Sequence, residues 1–194
     1  MDVTRLIIVA VGGQGNLLAA KVLGESARRS GVDVRMSEIH GMAQRGGVVE
    51  SALVFGPAES NVISNGEADI LVSFEPLETL RALNKCNSRT VVITNTKPLP
   101  PFTAATGKVP YPPIDTIRSL IREKTGRLID FDAASLASEA GNILSVNIVL
   151  LGALSATGLL PFSAESIKTA IRETTRPAFL EVNLKAFELG SGAV

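Results

Sequence analysis

RLIIVAVGGQGNLLAAKVLGESARRSGVDVRM, residues 5–36, decides the fold. Arg5–Val11 is an unbroken aliphatic, β-branched run, the pattern of a strand buried on both faces of a parallel sheet. Gly12-Gly13-Gln14-Gly15 turns the chain. Asn16–Ser30 then carries Leu18, Val22 and Leu23 on one helical face, with Arg28 and Arg29 at the negative end of the helix dipole and Gly31 as a stop. Val32–Met36 is the next strand. A strand, a glycine-rich turn, a helix and a second strand form the opening unit of a doubly wound sheet.

The rest of the chain extends that reading. Val48–Phe55, Asp69–Phe74, Thr90–Thr94 and Leu128–Phe131 read as further strands. A helix starts at Pro76, where proline is tolerated in a first turn, and others span Ile114–Lys124 and about 142–157, 163–174 and 178–189. Between Lys97 and Pro113 lies a proline-rich connection, and neither a repeat nor a linker separates two cores. The expectation is a single α/β domain over residues 1–194, three-layered and Rossmann-like, with a mostly parallel sheet and helices on both faces.

Composition narrows the function. Apolar residues are 45% of the 194 and charged residues 20%, which suits a sizeable core and excludes disorder. Lys plus Arg and Asp plus Glu are 19 each, so there is no electrostatic footprint for nucleic acid or an anionic membrane. One cysteine, Cys86, and one histidine, His40, are too few for a zinc site or an iron–sulfur cluster held by this chain alone. The uncharged stretch from Ala140 to Ala164 is long enough to raise a membrane span. Its Asn142, Ser145, Asn147, Ser155 and Thr157, and Pro161 at its close, favour a buried core helix instead. The opening MDVTRLIIVAVGG has an acid at position 2 and an apolar run too short for a signal sequence, so a cytoplasmic protein is expected.

Two segments are candidates for function. Gly12, Gly13, Gln14 and Gly15 could cradle an anion with backbone N–H groups at a helix N-terminus, or could serve only a tight turn. As a dinucleotide fingerprint the turn is incomplete, because Ala10 stands where the first glycine of G-x-G-x-x-G belongs. Glu38 stands about where a ribose-binding acid would. MSEIHGMAQRGG, residues 36–47, reads as a loop at the carboxyl end of the second strand and gathers Glu38, His40, Gly41, Gln44, Arg45 and Gly46. A histidine pinned by a backbone group and a local Glu38–Arg45 ion pair would be the ordinary reading. The density of polar and glycine residues, at the sheet edge where α/β proteins bind ligands and partners, points to binding. No nucleophile–base–orienter set accompanies it, so no catalytic residue is assigned.

GGQG after the first strand, SEIHGMAQRGG after the second, EADILVSFEPLETLR in the middle and GNILSVNIVLLGAL near the end together resemble the gamma-type domain of 2-oxoacid:ferredoxin oxidoreductases. Within that family they are most like the beta subunits of the indolepyruvate type. The resemblance runs in order over essentially the whole chain and departs at Ala10, where relatives often carry glycine. It implies a non-cofactor subunit, inactive alone, of an enzyme that oxidatively decarboxylates indolepyruvate or another aryl pyruvate to an acyl-CoA and reduces ferredoxin. Thiamine diphosphate and the iron–sulfur clusters would belong to the partner subunit, with coenzyme A as co-substrate. The resemblance also implies that the 36–47 segment is a partner-facing rim of the active site. The competing reading, from the glycine turn and Glu38, is a stand-alone nucleotide-binding module or dehydrogenase. A scaffold without any ligand is the third.

Overall fold

The run after Arg5 forms strand β1 (Thr4–Val11), and every residue from Leu6 to Val11 is buried. Its neighbours explain why. In the computed structural model, which describes residues 2–40, 47–99 and 111–194, β1 lies inside a six-stranded sheet. The other strands are β2 (Val34–His40), β3 (Val48–Phe55), β4 (Ala68–Ser73), β5 (Cys86–Asn95) and β6 (Arg127–Phe131), in the order β2-β3-β1-β4-β5-β6. The helices are α1 (Asn16–Arg29), α2 (Pro76–Ala82), α3 (Ile114–Lys124), α4 (Ala133–Ala140), α5 (Val146–Ala156), α6 (Ala164–Thr174) and α7 (Leu180–Ser191).

Side chains alternate across a strand, so β1 feeds two cores. Leu6 and Ile8 join Leu23 of α1, Phe55, Phe74, and Leu150, Leu154 and Phe187 of α5 and α7. Ile7 and Val9 join Leu71, Val92, and Ile117 and Ile121 of α3. Helices on both faces of a mostly parallel sheet make the three layers expected.

Strand β3 departs from the simple doubly wound unit. It runs antiparallel to both β1 and β2, lying between them in register from Phe55 opposite Thr4 and Val34 to Val49 opposite Ala10 and His40. The connection from β2 to β3 is too short for a crossover helix, and only an antiparallel return fits it. Its unbroken burial from Ser51 to Phe55 resembles that of a parallel strand, so hydrophobic pattern alone could not give its direction. The second strand also sits later than expected. It is Val34–His40 rather than Val32–Met36, so Glu38 and His40 belong to a strand and not to a loop.

The uncharged stretch becomes a buried helix. A single 3-10 turn (Ile143–Ser145) leads into α5, whose residues from Val146 to Leu154 are all buried. Among the described residues no helix is long and apolar enough to cross a membrane. The packing partner of α5 is α7, and glycines bring the two backbones together. A Cβ on Gly152 would lie 2.1 Å from the Phe187 carbonyl oxygen, and one on Gly190 1.9 Å from that of Val149.

Neither distance is tolerable, so a methyl at either position must push two helices apart. Alanine would gain about 1 kcal/mol of helix propensity over glycine. Overpacking a tight contact costs roughly 1–3 kcal/mol and more where the obstacle is backbone, so the clash wins. Gly152→Ala and Gly190→Ala should each lower the thermal midpoint by several degrees; a midpoint equal to or above that of the native chain would refute the contact.

Candidate functional site

The carboxyl ends of β1, β4 and β5 are tied together by two side-chain amides. Gln14 accepts the Val11 amide proton on Oε1 (2.8 Å) and donates from Nε2 to the Phe74 carbonyl (3.2 Å). Asn95, at the end of β5, donates to the same carbonyl (3.3 Å) and to that of Lys97 (3.1 Å). Its Oδ1 accepts from the Lys97 amide (3.2 Å) and from Ala133 at the start of α4 (3.1 Å). All of these groups are buried or partly buried, so each unpaired member would cost its desolvation. Gln14 is therefore a clamp between strands.

The glycine turn rests on this clamp. Gly13 and Gly15 have φ of +107° and +85°, which side-chain-bearing residues rarely adopt. Around Gly13 there is open space for a Cβ, whereas one on Gly15 would lie 2.5 Å from Asn147 Nδ2. Asn147, buried in the first turn of α5, donates to the Gly15 carbonyl (3.1 Å) and fixes α5 against the turn. Two of the turn's amides are already committed, that of Gly12 to the Gly47 carbonyl (2.8 Å) and that of Gln14 to Val11 (3.1 Å). Gly15 occupies the N-cap of α1 and supplies no side-chain cap to the positive end of the helix.

Two cavities flank the turn. One, of about 440 Å³, is lined by Gly12, Gly13, Asn95, Lys97, Leu99 and Leu144 among others. The second, of about 370 Å³, is lined by Gly12, Gly13, Gly15, Asn16, Glu38 and Val49 with their neighbours. Asn16 is 4% exposed, and neither atom of its amide has a hydrogen-bond partner among the described residues. Both cavities fall within the size range of small-molecule sites, at the end of the sheet where α/β folds bind them.

A pair of buried acids follows β4. Glu75 caps α2, accepting from the amides of Leu77 (2.7 Å) and Glu78 (3.1 Å). It also accepts from the Leu99 amide (3.3 Å) and the Tyr111 hydroxyl, so one carboxylate anchors both flanks of the proline-rich connection. Burial pushes the Glu75 carboxyl up against the pull of those donors, and burial followed by the Glu75 contact raises the Tyr111 phenol. Glu78 is also fully buried, and among the described residues neither of its oxygens has a hydrogen-bond partner; Arg81 forms an ion pair with it at 3.6 Å.

The structure brings together only part of the sequence-derived set. Gly12, Gly13, Gln14 and Gly15 form the turn, and Glu38 reaches the cavity beside it from β2. Glu38 is separated from β1 by β3, unlike a ribose-binding acid on an adjacent strand. His40 ends β2. Gly41, Gln44, Arg45 and Gly46 lie outside the described residues. The sequence reading missed Asn16, Asn95, Lys97, Asn147 and Glu75. The one signal for them was position, each standing within two residues of a strand end or a helix start.

The matching family, described as pyruvate ferredoxin/flavodoxin oxidoreductase, covers residues 5–193. The chain belongs to this family. It is 43% identical over 189 residues to the indolepyruvate oxidoreductase subunit IorB of Methanothermobacter thermautotrophicus, covering 97% of this chain and 96% of that one. Among solved structures it resembles the gamma subunit of a keto/oxoacid ferredoxin oxidoreductase from Geobacter sulfurreducens, with a TM-score of 0.71 at 23% identity, over 98% of this chain and 97% of that one. A 2-oxoglutarate:ferredoxin oxidoreductase from Magnetococcus marinus, with 2-oxoglutarate, coenzyme A and succinyl-CoA bound, contains the same fold. There the TM-score is 0.75 at 17% identity, over 100% of this chain and 31% of that one. The same fold thus stands as a separate subunit in one of these structures and within a longer chain in the other.

Glu78 gives this member of the family a pH signature. Burial holds its carboxyl above the ordinary range, with the Arg81 guanidinium opposing and Glu75 adding to the rise. A carboxyl raised in the folded state contributes stability that is fully present below its unfolded pKa and lost as pH rises through the folded one. Glu78→Gln should thus melt higher than the native chain at pH 8, and the gap should close near pH 4. A lower melt at pH 8 would show that the Arg81 contact outweighs burial.

Proposed function

We propose that this chain is the non-cofactor subunit of an indolepyruvate:ferredoxin oxidoreductase. The observation that carries the reading is the 43% identity to an indolepyruvate oxidoreductase subunit along nearly the whole of both chains. The complex cleaves the bond between the carboxylate and the keto carbon of an aryl 2-oxo acid and releases carbon dioxide. The remaining acyl group passes to the coenzyme A thiol, and the electron pair passes to ferredoxin. Thiamine diphosphate and the iron–sulfur clusters belong to the partner subunit, and the assembly works in the cytoplasm. This chain's own donors do not fit a cluster. Its one cysteine, Cys86, is buried at the start of β5, and burial pushes its thiol up to about 11, far from the thiolate that iron needs.

The glycine turn is the natural place for the phosphates of coenzyme A. Gly13 leaves room for close approach, and the uncapped positive end of α1 favours an anion there. Asn16, whose buried amide has no hydrogen-bond partner among the described residues, lines the cavity beside it. Glu38, His40, Gly41, Gln44, Arg45 and Gly46 form the partner-facing rim of the active site. The Gly12–Gly47 bond supports this, since it holds the described end of that segment against the turn. A stand-alone dehydrogenase is disfavoured by the missing first glycine and by β3 standing between Glu38 and β1.

Co-expression with a thiamine-bearing partner, followed by a ferredoxin-reduction assay over several 2-oxo acids, tests the reading. The expected result is activity with indolepyruvate well above that with pyruvate, from the complex and not from this chain alone. Activity of the isolated chain, or none from a formed complex, would overturn it.

Gly13→Ala tests the turn in the same complex. A bound phosphate predicts a KM for coenzyme A raised about tenfold or more, with the KM for the 2-oxo acid unchanged. Should the variant only melt lower, with the coenzyme A KM unmoved, the glycine serves backbone conformation alone.

A further inference from the structure

Large apolar side chains gather where the α5 helix begins. Leu144 is 72% exposed, Leu17 62%, Ile143 52%, Leu99 50% and Phe179 44%. They come from the first turn of α1, the start of the connection after β5, the 3-10 turn before α5 and the 3-10 turn before α7. Hollows link them into one surface. Leu144 lines both the 440 Å³ cavity, with Leu99 and Ile143, and a third cavity of about 340 Å³, with Leu18, Arg176 and Phe179. Leu17 stands on the other side of the glycine turn. Holding five large apolar groups in water at one end of a sheet is a standing cost unless something covers them.

The charges say what the cover carries. Lys97 lines the larger hollow and Arg176 the smaller, and neither hollow has an acidic residue in its lining. Among the described residues neither cation makes an ion pair; Lys97 feels only the more distant field of Asp132, whose carboxylate is held by Ser135. Two hollows with apolar rims and one cation each are complementary to apolar projections flanked by carboxylates. Phosphates bound at the glycine turn would answer Lys97 in the larger hollow, but they would leave Arg176 in the smaller one unanswered and most of the apolar rim wet.

We infer that this surface, centred on Leu144 with Lys97 and Arg176 at its two hollows, is the docking face for the thiamine-bearing partner subunit. The partner inserts apolar side chains against Ile143 and Leu144 and places a carboxylate opposite Arg176. The inference rests on the subunit reading above. It moves the main interface from the 36–47 segment to the start of α5, so that docking closes the cavities on either side of the glycine turn. Contacts of this kind concentrate binding in a few central apolar residues, while rim charges set salt dependence and encounter rate.

The test uses the full chain and its co-expressed partner, with the dissociation constant measured by titration at two salt concentrations. Leu144→Asp should weaken assembly by at least about tenfold while its melt as an isolated chain matches that of the native protein. Val62→Asp, at a residue 69% exposed outside this surface, should assemble normally. Arg176→Glu should weaken assembly at low salt and flatten its salt dependence. Equal assembly by Leu144→Asp and the native chain, in a complex that reduces ferredoxin, overturns this surface and leaves the subunit reading standing. Equal weakening by Val62→Asp overturns it as well. So does a homodimer of the isolated chain that Leu144→Asp dissociates, since a second copy would then be the occupant. Failure of the native chain to assemble with any thiamine-bearing partner overturns both readings.

Discussion

One carbonyl organises the working end of this molecule. The oxygen of Phe74 receives an amide from Gln14 beyond β1 and another from Asn95 at the end of β5. Its own backbone nitrogen donates to Val9 of β1 (3.0 Å). Three neighbouring strands therefore end at a common, buried hydrogen-bonded point, and what is built above them inherits that rigidity. The glycine turn stands on Gln14, α4 begins where Asn95 accepts from Ala133, and Glu75 next to Phe74 holds both described flanks of the proline-rich connection. A site assembled from loops gains precision when the loops are pinned to strands in this manner.

Local chemistry is compatible with the division of labour proposed above, in which the partner carries the redox groups. The chain supplies a turn suited to an anion, cavities on either side of it, and an exposed apolar rim. It offers a single buried cysteine with its thiol proton held on, and no constellation of nucleophile and base. Such an inventory suits a subunit that binds and positions, with electron transfer carried elsewhere in the assembly. Nothing in the sheet itself demands that division. The same fold within the longer Magnetococcus marinus chain shows that it also serves inside a single polypeptide.

The sequence made some elements legible because their signals are local. The β-branched run before GGQG, Pro76 in a first turn and Gly31 behind two arginines each act within a few residues. β3 was visible as a strand but not in direction, since burial on both faces erases the alternation that distinguishes one environment from another. α4 went unread because AASLASEA is dominated by alanine, too small to mark a face; the Asp132 side chain accepting from Ser135 and the positive φ of Gly141 define its ends. The glycine turn is legible from its spacing, but nothing in that spacing shows that the Gln14 side chain links Val11 to Phe74. Asn147 is legible only as a polar residue in an apolar stretch, and its role appears once the fold brings it against Gly15. Partners far apart in sequence left no pattern to read.

The backbone contact between α5 and α7 also bears on how the chain reaches its fold. Helix α5 is apolar on every side, so no face of it can be left to water while the chain is incomplete. Its closest covering element, α7, follows it by more than twenty residues and fits only at the separation that Gly152 and Gly190 permit. During synthesis the sheet is therefore laid down first, and the emerging α5 remains adhesive until α7 arrives to cover it. This interval is when the chain is most exposed to aggregation and most dependent on chaperones.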